Sequence, residues 1–213
     1  MSSRTLQASQ FAASRMFTGV AVALVASVVL NVLLAHKVRS LIFERSATIA
    51  EHQLQVGTAV PPITAKRLGG RQELISYQAT NQPTVLYVFT PTCSWCSRNM
   101  DNLKTLLDKE GFHYRFICLS LSEQTLPEYV AKNDLKLPVY FALSPETLKN
   151  YKLGGTPQTI VISPEGKVLK NWAGAYVGDQ KSQIEGFFRV RLPGLRPKPE
   201  TDKVSRSTTA PTE

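Results

Sequence analysis

The sequence predicts an α/β sandwich domain preceded by a single hydrophobic helix. Three observations lead to this fold class: an uncharged apolar run near the N-terminus, a central part in which strand-like and helix-like segments alternate, and a C-x-x-C pair directly after an apolar strand. Alternation of this kind is typical of a sheet covered by helices. The 213 residues have room for one ordinary domain with attachments at its ends.

The hydrophobic run, residues 16–35, reads MFTGVAVALVASVVLNVLLA and has no charged side chain. As a helix it would be about 30 Å long, at about 1.5 Å per residue, which matches the hydrocarbon core of a bilayer. A cleaved signal peptide is the alternative, but its apolar stretch is usually shorter, and here His36 and Lys37 follow directly. We therefore expect a retained single-pass anchor at 16–35, between a short segment at 1–15 and a helical stalk at 36–52.

The formal net charge of +9 is spread over the chain rather than concentrated. Residues 1–52 and 189–213 each carry a net charge of +3, which leaves +3 for everything between them. There is no block of five or six like charges, so the sequence does not favour nucleic-acid binding. Basic residues beside anionic lipid headgroups explain the excess more simply. Basic residues are nearly balanced across the predicted span, so they do not set its orientation.

The predicted domain, residues 53–190, opens with an extended segment and a turn at 68–71 between short strand candidates. The apolar and β-branched run at 84–90 predicts a strand buried on both faces. Leucines at helical spacing after Cys96 predict a helix that ends near Gly111. Further along the chain we expect a strand at 114–121, a helix at 123–133, a short strand at 138–142 and a short helix at 145–151.

The last part of the domain is predicted to be a hairpin followed by a helix. Strands at 159–162 and 168–172 flank the turn at 163–166, whose Pro and Gly stand where a type I turn favours them. Asp179 is expected to cap the final helix. Residues 191–213 are rich in Pro, Ser and Thr and are expected to form a disordered tail.

The C-x-x-C pair, Cys93 and Cys96, stands where the buried strand ends and a helix begins. Unpaired N–H groups and the positive end of the helix dipole favour a thiolate at Cys93. Lowering a thiol pKa from about 8.5 to about 7 raises its thiolate fraction at pH 7 from roughly 3% to roughly 50%. Cys96, one turn further on, is expected to be more buried and less ionised. This asymmetry suits attack by Cys93 on a substrate disulfide and resolution by Cys96.

Other uses of a cysteine pair fit the sequence less well. Zinc needs four ligands, and the three histidines show no ligand spacing. Covalent haem attachment needs a histidine where Ser97 stands, and a structural disulfide across two residues closes too small a loop to stabilise much. Cys118, in the middle of a strand, is interpreted as a core residue. We predict no metal site, and no cofactor other than a redox-active disulfide.

Over residues 55–188 the sequence resembles the thioredoxin superfamily, most closely its membrane-anchored TlpA/ResA-like branch. The segments that carry the resemblance are VLYVFTPTCSWC and GGTPQTIVISPEGKVLKNWAG. It implies a thioredoxin-like three-layer sandwich, with a mixed central sheet and helices on both faces. It also implies that the bond between Thr156 and Pro157 is cis and packs beside the active disulfide. Thr156, Pro157 and Trp95 are then the candidate substrate contacts.

Three positions depart from this branch. Thr92 replaces a bulky residue before the first cysteine, Asn99 stands where a glutamate is common, and Asp101 replaces a helix-kinking proline. An asparagine cannot exchange a proton, so Asp101 is the possible proton acceptor. The simpler interpretation of Asp101 is an acidic side chain that is solvated on the helix surface. These departures leave the direction of electron flow open.

The resemblance implies a thiol–disulfide oxidoreductase that acts on protein disulfides outside the cytoplasm, with cytochrome c or other cofactor-protein maturation as a candidate context. Its partners would be protein thiols and a membrane-bound or soluble reductase. The implied location is the bacterial inner membrane, with the catalytic domain facing the periplasm or cell exterior. Three alternatives stay open: a peroxiredoxin-like peroxidase, although its motif requires proline where Leu86 stands; a copper or maturation chaperone; and a partner-binding domain with incidental cysteines.

Overall fold

A computed structural model of the chain describes Leu24, residues 27–40 and residues 53–198. Leu24 and residues 27–40 are helical, and the Asn31 side-chain amide donates a hydrogen bond to the Ser27 carbonyl over 2.9 Å. In these described parts of the chain, no helix combines the length and the apolar character needed to cross a bilayer. The predicted anchor and stalk fall partly, and the short N-terminal segment wholly, outside the described residues.

The second compact unit of the chain begins at Leu54, and its described part contains a seven-stranded sheet. In chain order its elements are β1 (Ile63–Arg67), β2 (Gln72–Ile75), β3 (Thr84–Phe89), α1 (Ser94–Arg98), α2 (Met100–Glu110), β4 (Arg115–Ser120), α3 (Leu126–Lys132), β5 (Val139–Phe141), α4 (Pro145–Asn150), β6 (Gln158–Ile162), β7 (Val168–Ala173) and α5 (Gly178–Phe188). The strand order is β2-β1-β5-β4-β3-β6-β7. Strands β3, β4 and β5 run parallel and the remaining pairings are antiparallel, so the sheet is mixed, as the resemblance implied.

Strand β3 lies between β4 and β6 and leads directly to the cysteine pair. All six of its residues are buried. Because side chains alternate along a strand, Val85, Tyr87 and Phe89 pack in one core with residues from α1, α2, α3 and α5. Leu86 and Val88 belong to a second core. This arrangement confirms the predicted α/β sandwich and fixes the point at which the chain leaves the sheet for the candidate site.

The hairpin of β6 and β7 confirms the turn expected at 163–166. The Gly166 N–H donates to the Ser163 carbonyl over 2.9 Å, which closes a four-residue turn. Gly166 has a φ of 80°, and a Cβ there would lie 3.1 Å from the Val60 carbonyl oxygen. A larger residue at this position would therefore be strained.

Two helices begin differently from the expectation. The helix predicted from residue 123 starts only at Leu126, after Thr125, whose φ of 56° is incompatible with an earlier helical turn. The expectation that Asp179 caps the last helix was wrong: Val177 is the N-cap of α5, and Asp179 lies within its first turn. The reason is that the chain turns into the helix at Gly178, whose φ is 52°. Asp179 still faces the positive end of the helix dipole.

Residues 191–198, assigned above to a disordered tail, lie against the domain, and we call them the C-terminal strap. Leu192 is buried, and the Gly194 N–H donates to Oδ1 of Asn102 over 2.8 Å. Apolar burial of Leu192 and the hydrogen bond to the buried Asn102 side chain hold this segment in place, which its Pro-rich composition does not indicate. Residues 199–213 lie outside the described part.

Candidate active site

Cys93 and Cys96 are joined by a disulfide at the junction of β3 and α1, with their Cα atoms 5.2 Å apart. Cys93 is the N-cap of α1, and its Sγ accepts a hydrogen bond from the Cys96 N–H over 3.1 Å. The Cys93 side chain is half-buried, whereas Cys96 is completely buried. The structure thus brings the two cysteines together with the first sulfur accessible and the second enclosed.

The loop before β6 lies beside the disulfide. The bond between Thr156 and Pro157 is cis, and Sγ of Cys93 lies 3.5 Å from the Thr156 carbonyl oxygen. The Pro157 carbonyl accepts a hydrogen bond from the Gly174 N–H over 2.7 Å, which ties this loop to the end of β7. The hydroxyls of Thr156 and Thr90 are 3.4 Å apart. The implied cis bond and its place beside the disulfide are therefore confirmed, and the substrate contacts at Thr156 and Pro157 stay predictions.

Trp95, between the two cysteines, is 49% exposed. The guanidinium carbon of Arg98 lies 4.8 Å from the centroid of its ring, within the range of a cation–π contact. An exposed aromatic ring next to an accessible sulfur suits contact with a polypeptide substrate. That role of Trp95 stays a prediction.

A buried hydrogen-bond network lies directly behind Cys96. Asn99 is completely buried. Its Oδ1 accepts from Nδ2 of Asn102 over 2.9 Å and from the Tyr176 N–H over 3.2 Å. Its Nδ2 donates to the Tyr87 hydroxyl over 3.4 Å, and that hydroxyl donates to the Cys96 carbonyl over 3.5 Å. The network therefore links the residue after α1 to the backbone of the buried cysteine.

The members of this network remain neutral. Asn99 does not ionise, and burial raises the pKa values of Tyr87 and Tyr176 well above their usual range. The network consequently orients the backbone around Cys96 but offers no group that exchanges a proton near neutral pH. From the sequence, Asn99 was interpreted only as the loss of an acid. The available signal was the spacing of Asn99, Asn102 and Leu106, which places both amides on the apolar face of the helix.

Asp101 does not turn towards this network. Its carboxylate forms an ion pair with the Arg196 guanidinium of the strap. The hydrogen bond from Arg196 lowers the pKa of the Asp101 carboxyl below its usual value, which makes it a weaker base. The suggested role of Asp101 as a proton acceptor stays a prediction, and this ion pair lends it no support.

The third cysteine, Cys118, lies in the middle of β4 and is completely buried. Burial raises the pKa of its thiol to about 12, so it is neutral at physiological pH. A thiol that is both enclosed and neutral is a poor nucleophile. This environment agrees with the interpretation of Cys118 as a core residue.

A cysteine pair at the start of a helix, beside a cis-proline loop and at the end of a central strand, defines a thioredoxin-like redox domain. The family model of the thioredoxin-like domain matches residues 70–186, and the chain belongs to this family. Among curated proteins it is similar to the thiol-disulfide oxidoreductase ResA of Bacillus cereus. The two are 24% identical over 148 residues, which cover 67% of this chain and 82% of that protein.

Solved structures show the same fold. The thioredoxin domain of a thiol-disulfide oxidoreductase from Bacteroides vulgatus is 22% identical, with a TM-score of 0.52, and the match covers 64% of this chain and 99% of that one. A candidate thiol:disulfide interchange protein DsbE from Chlorobium tepidum is 18% identical, with a TM-score of 0.56, and the match covers 64% and 98%.

Proposed function

We propose that this chain is a thiol–disulfide oxidoreductase that exchanges its Cys93–Cys96 disulfide with cysteine pairs of protein substrates. The observation that carries the proposal is the position of the Cys93 sulfur. It accepts the Cys96 N–H at the start of α1 and lies against the Thr156 carbonyl while part of its surface is accessible. Membership of the thioredoxin-like family and similarity to a protein named thiol-disulfide oxidoreductase support it.

In the reducing direction, the reaction begins with both cysteines reduced. The Cys93 thiolate attacks one sulfur of the substrate disulfide, that S–S bond breaks, and the other substrate sulfur leaves as a thiolate that takes up a proton. A mixed disulfide now joins Cys93 to the substrate. The hydrogen bond from the Cys96 N–H favours the charged form of Cys93 and so raises the fraction of reactive enzyme.

The second step uses Cys96, which lies one turn further along α1. After losing its proton, Cys96 attacks Sγ of Cys93, the mixed disulfide breaks, and the substrate leaves with both of its sulfurs reduced. Two electrons have passed to the substrate, and the Cys93–Cys96 disulfide has formed. Because Cys96 is enclosed, it reaches Cys93 but not a bulky substrate, which makes release the favoured outcome.

A dithiol donor must reduce the Cys93–Cys96 disulfide before the next cycle. The proposed donor is a membrane-bound or soluble reductase. We place the reaction outside the cytoplasm of a bacterial cell, with residues 16–35 as the membrane anchor. The uncharged run of twenty residues supports the anchor, and the disulfide chemistry supports the placement outside the cytoplasm, because disulfides persist in oxidising compartments. Maturation of cytochrome c or another cofactor protein is the proposed context.

Insulin-disulfide reduction by the full-length chain tests this function. Cys93→Ser should abolish it, because no nucleophile remains at the accessible position, while Cys96→Ser should accumulate a mixed disulfide that dithiothreitol releases. Cys118→Ala is the matched control, since it removes a buried thiol outside the pair, and it should retain activity. Full activity in Cys93→Ser would end the proposal.

A further inference from the structure

The helix that follows the cysteine pair is broken without a proline. Residues 94–110 contain none, yet α1 ends at Arg98 and α2 begins at Met100. Sharp breaks in helices normally have a local cause, such as a proline or a group inserted into the ladder of hydrogen bonds. At this break the strap provides a hydrogen-bond donor: the Arg196 N–H donates to the Arg98 carbonyl over 2.8 Å.

The strap also contacts the break between α1 and α2 through side chains. Nε of Arg98 donates back to the Arg196 carbonyl over 2.8 Å, so the two residues are joined twice. The Arg196 guanidinium forms its ion pair with Asp101 in the first turn of α2 and donates to Oδ1 of Asn133 over 3.2 Å. One arginine thus connects the end of α1, the start of α2 and the end of α3.

A second attachment reaches the buried side of the break. The Gly194 N–H donates to Oδ1 of Asn102, whose Nδ2 donates to Asn99. Asn99 in turn reaches the Cys96 carbonyl through the Tyr87 hydroxyl. The strap therefore contacts the active-site helix both at its surface and through the network behind the buried cysteine.

Helix α1 depends on such contacts because it has only five residues. A helix this short makes too few internal hydrogen bonds to hold its own position. It nevertheless carries the two features that face a substrate: the N–H of Cys96, which donates to the Cys93 sulfur, and Trp95, which lies under the Arg98 guanidinium. Movement of Arg98 would be transmitted to both.

We infer that the C-terminal strap positions the redox pair, and that Arg196 is the positioning residue through which it does so. This inference deepens the proposed function and rests on it. By holding Arg98, the strap keeps α1 in the orientation that directs the Cys96 N–H at the Cys93 sulfur. A hydrogen bond to the thiolate stabilises the reduced form of the pair and therefore raises its reduction potential. Loss of the strap contact shifts the potential to more negative values.

The experiment compares Arg196→Met with the full-length chain and with Lys198→Met, a matched control that removes an exposed charge from the same strap. The reduction potential is measured in glutathione buffers, and the Cys93 pKa is obtained from the pH dependence of alkylation. Arg196→Met should lower the thiolate fraction at neutral pH about three- to tenfold, which corresponds to a shift of about −15 to −30 mV. Lys198→Met should behave like the wild type.

A second variant distinguishes two possible causes of a shift in the reduction potential: the positioning of α1 and the electric field of the Asp101 and Arg196 charges. Asp101→Asn breaks the same ion pair but removes a negative charge, which by field alone would stabilise the thiolate and raise the potential. Positioning predicts a negative shift in both Asp101→Asn and Arg196→Met. Shifts of opposite sign, or a lowered melting temperature with an unchanged potential in both variants, would overturn the inference.

These measurements need no protein substrate. If the wild-type chain fails to reduce insulin, this result counts against the proposed function. The comparison of reduction potentials between the variants stays valid. An active wild type whose potential does not respond to Arg196→Met and Asp101→Asn would reject only the positioning role.

Discussion

At the residue scale, Asn99 decides how the buried end of the cysteine pair is held. Its amide serves three partners at once: the Asn102 side chain, the Tyr176 N–H and the Tyr87 hydroxyl. All of them are buried, so none can turn to water if the amide is removed. A buried donor that loses its acceptor costs about 1–3 kcal/mol.

We therefore expect Asn99→Leu, which keeps the branching at Cγ but replaces the amide by two methyl groups, to lower the free energy of unfolding by about 2–4 kcal/mol. Denaturant titration of the oxidised protein measures this. Asn150→Leu is the matched control, because Asn150 is exposed at the end of α4, and it should change stability by about 0.5 kcal/mol or less. Equal stability of the two variants would show that the amide network contributes little.

The same residue shows the limit of sequence reasoning at this scale. Cys93 and Cys96 were identified because their signal is local: an apolar strand, the cysteine pair and a helical pattern in direct succession. Pro157 followed from resemblance. The helical spacing of Asn99 and Asn102 indicates that Asn99 faces inward, but its partner Tyr176 lies 77 residues further along the chain. No local pattern specifies such a contact.

At the scale of elements, strands and helices with short-range signals were predicted and those that depend on distant partners were not. The buried strand β3 and the hairpin turn follow from β-branched residues and from Pro and Gly positions. The contact that the strap makes at the break between α1 and α2 joins Arg98 to Arg196, which are 98 residues apart. The strap has the composition of a disordered tail, and only the finished domain supplies its partners.

The ion pair between Asp101 and Arg196 makes the attachment of the strap pH-dependent. Hydrogen bonding to Arg196 lowers the pKa of Asp101. A group with a lowered folded-state pKa contributes stability above its unfolded pKa, about 3.9 for Asp, and loses that contribution as the pH falls through the folded-state value. The two side chains are 35% and 46% exposed, so solvent screening limits the contribution to about 1 kcal/mol or less.

Consequently, Asp101→Asn should be less stable than the wild type at neutral pH, and the difference should shrink as the pH is lowered below about 4. Melting temperatures recorded across the acid range test this. Asp108→Asn, an exposed position on the same helix, is the control and should follow the wild-type curve. If the difference in melting temperature between Asp101→Asn and the wild type stays constant down to low pH, the ion pair is not the cause of that difference.

At the scale of the whole molecule, the alternation of strand and helix patterns was enough to predict the sandwich, because burial on both sides of a parallel strand leaves a continuous apolar run. Composition did not indicate how the interior would be filled. Both cores contain large tyrosines, among them Tyr87 and Tyr176 in one and Tyr77 and Tyr151 in the other. Their hydroxyls pair with each other or with backbone and threonine oxygens.

This interior predicts how the protein unfolds in alkali. Burial is the main reason why all seven tyrosines have raised pKa values, which reach about 12 for Tyr129 and Tyr151. A raised folded-state pKa contributes stability below the unfolded value of about 10 and loses it as the pH rises towards the folded-state value, by up to about 1.4 kcal/mol per pH unit for a fully buried tyrosine such as Tyr176. Tyrosinate absorbance and the loss of circular dichroism should therefore appear together, in one cooperative step above pH 10. Absorbance that rises gradually near pH 10 while the circular dichroism stays native would mean that the tyrosines are open to solvent in the folded protein.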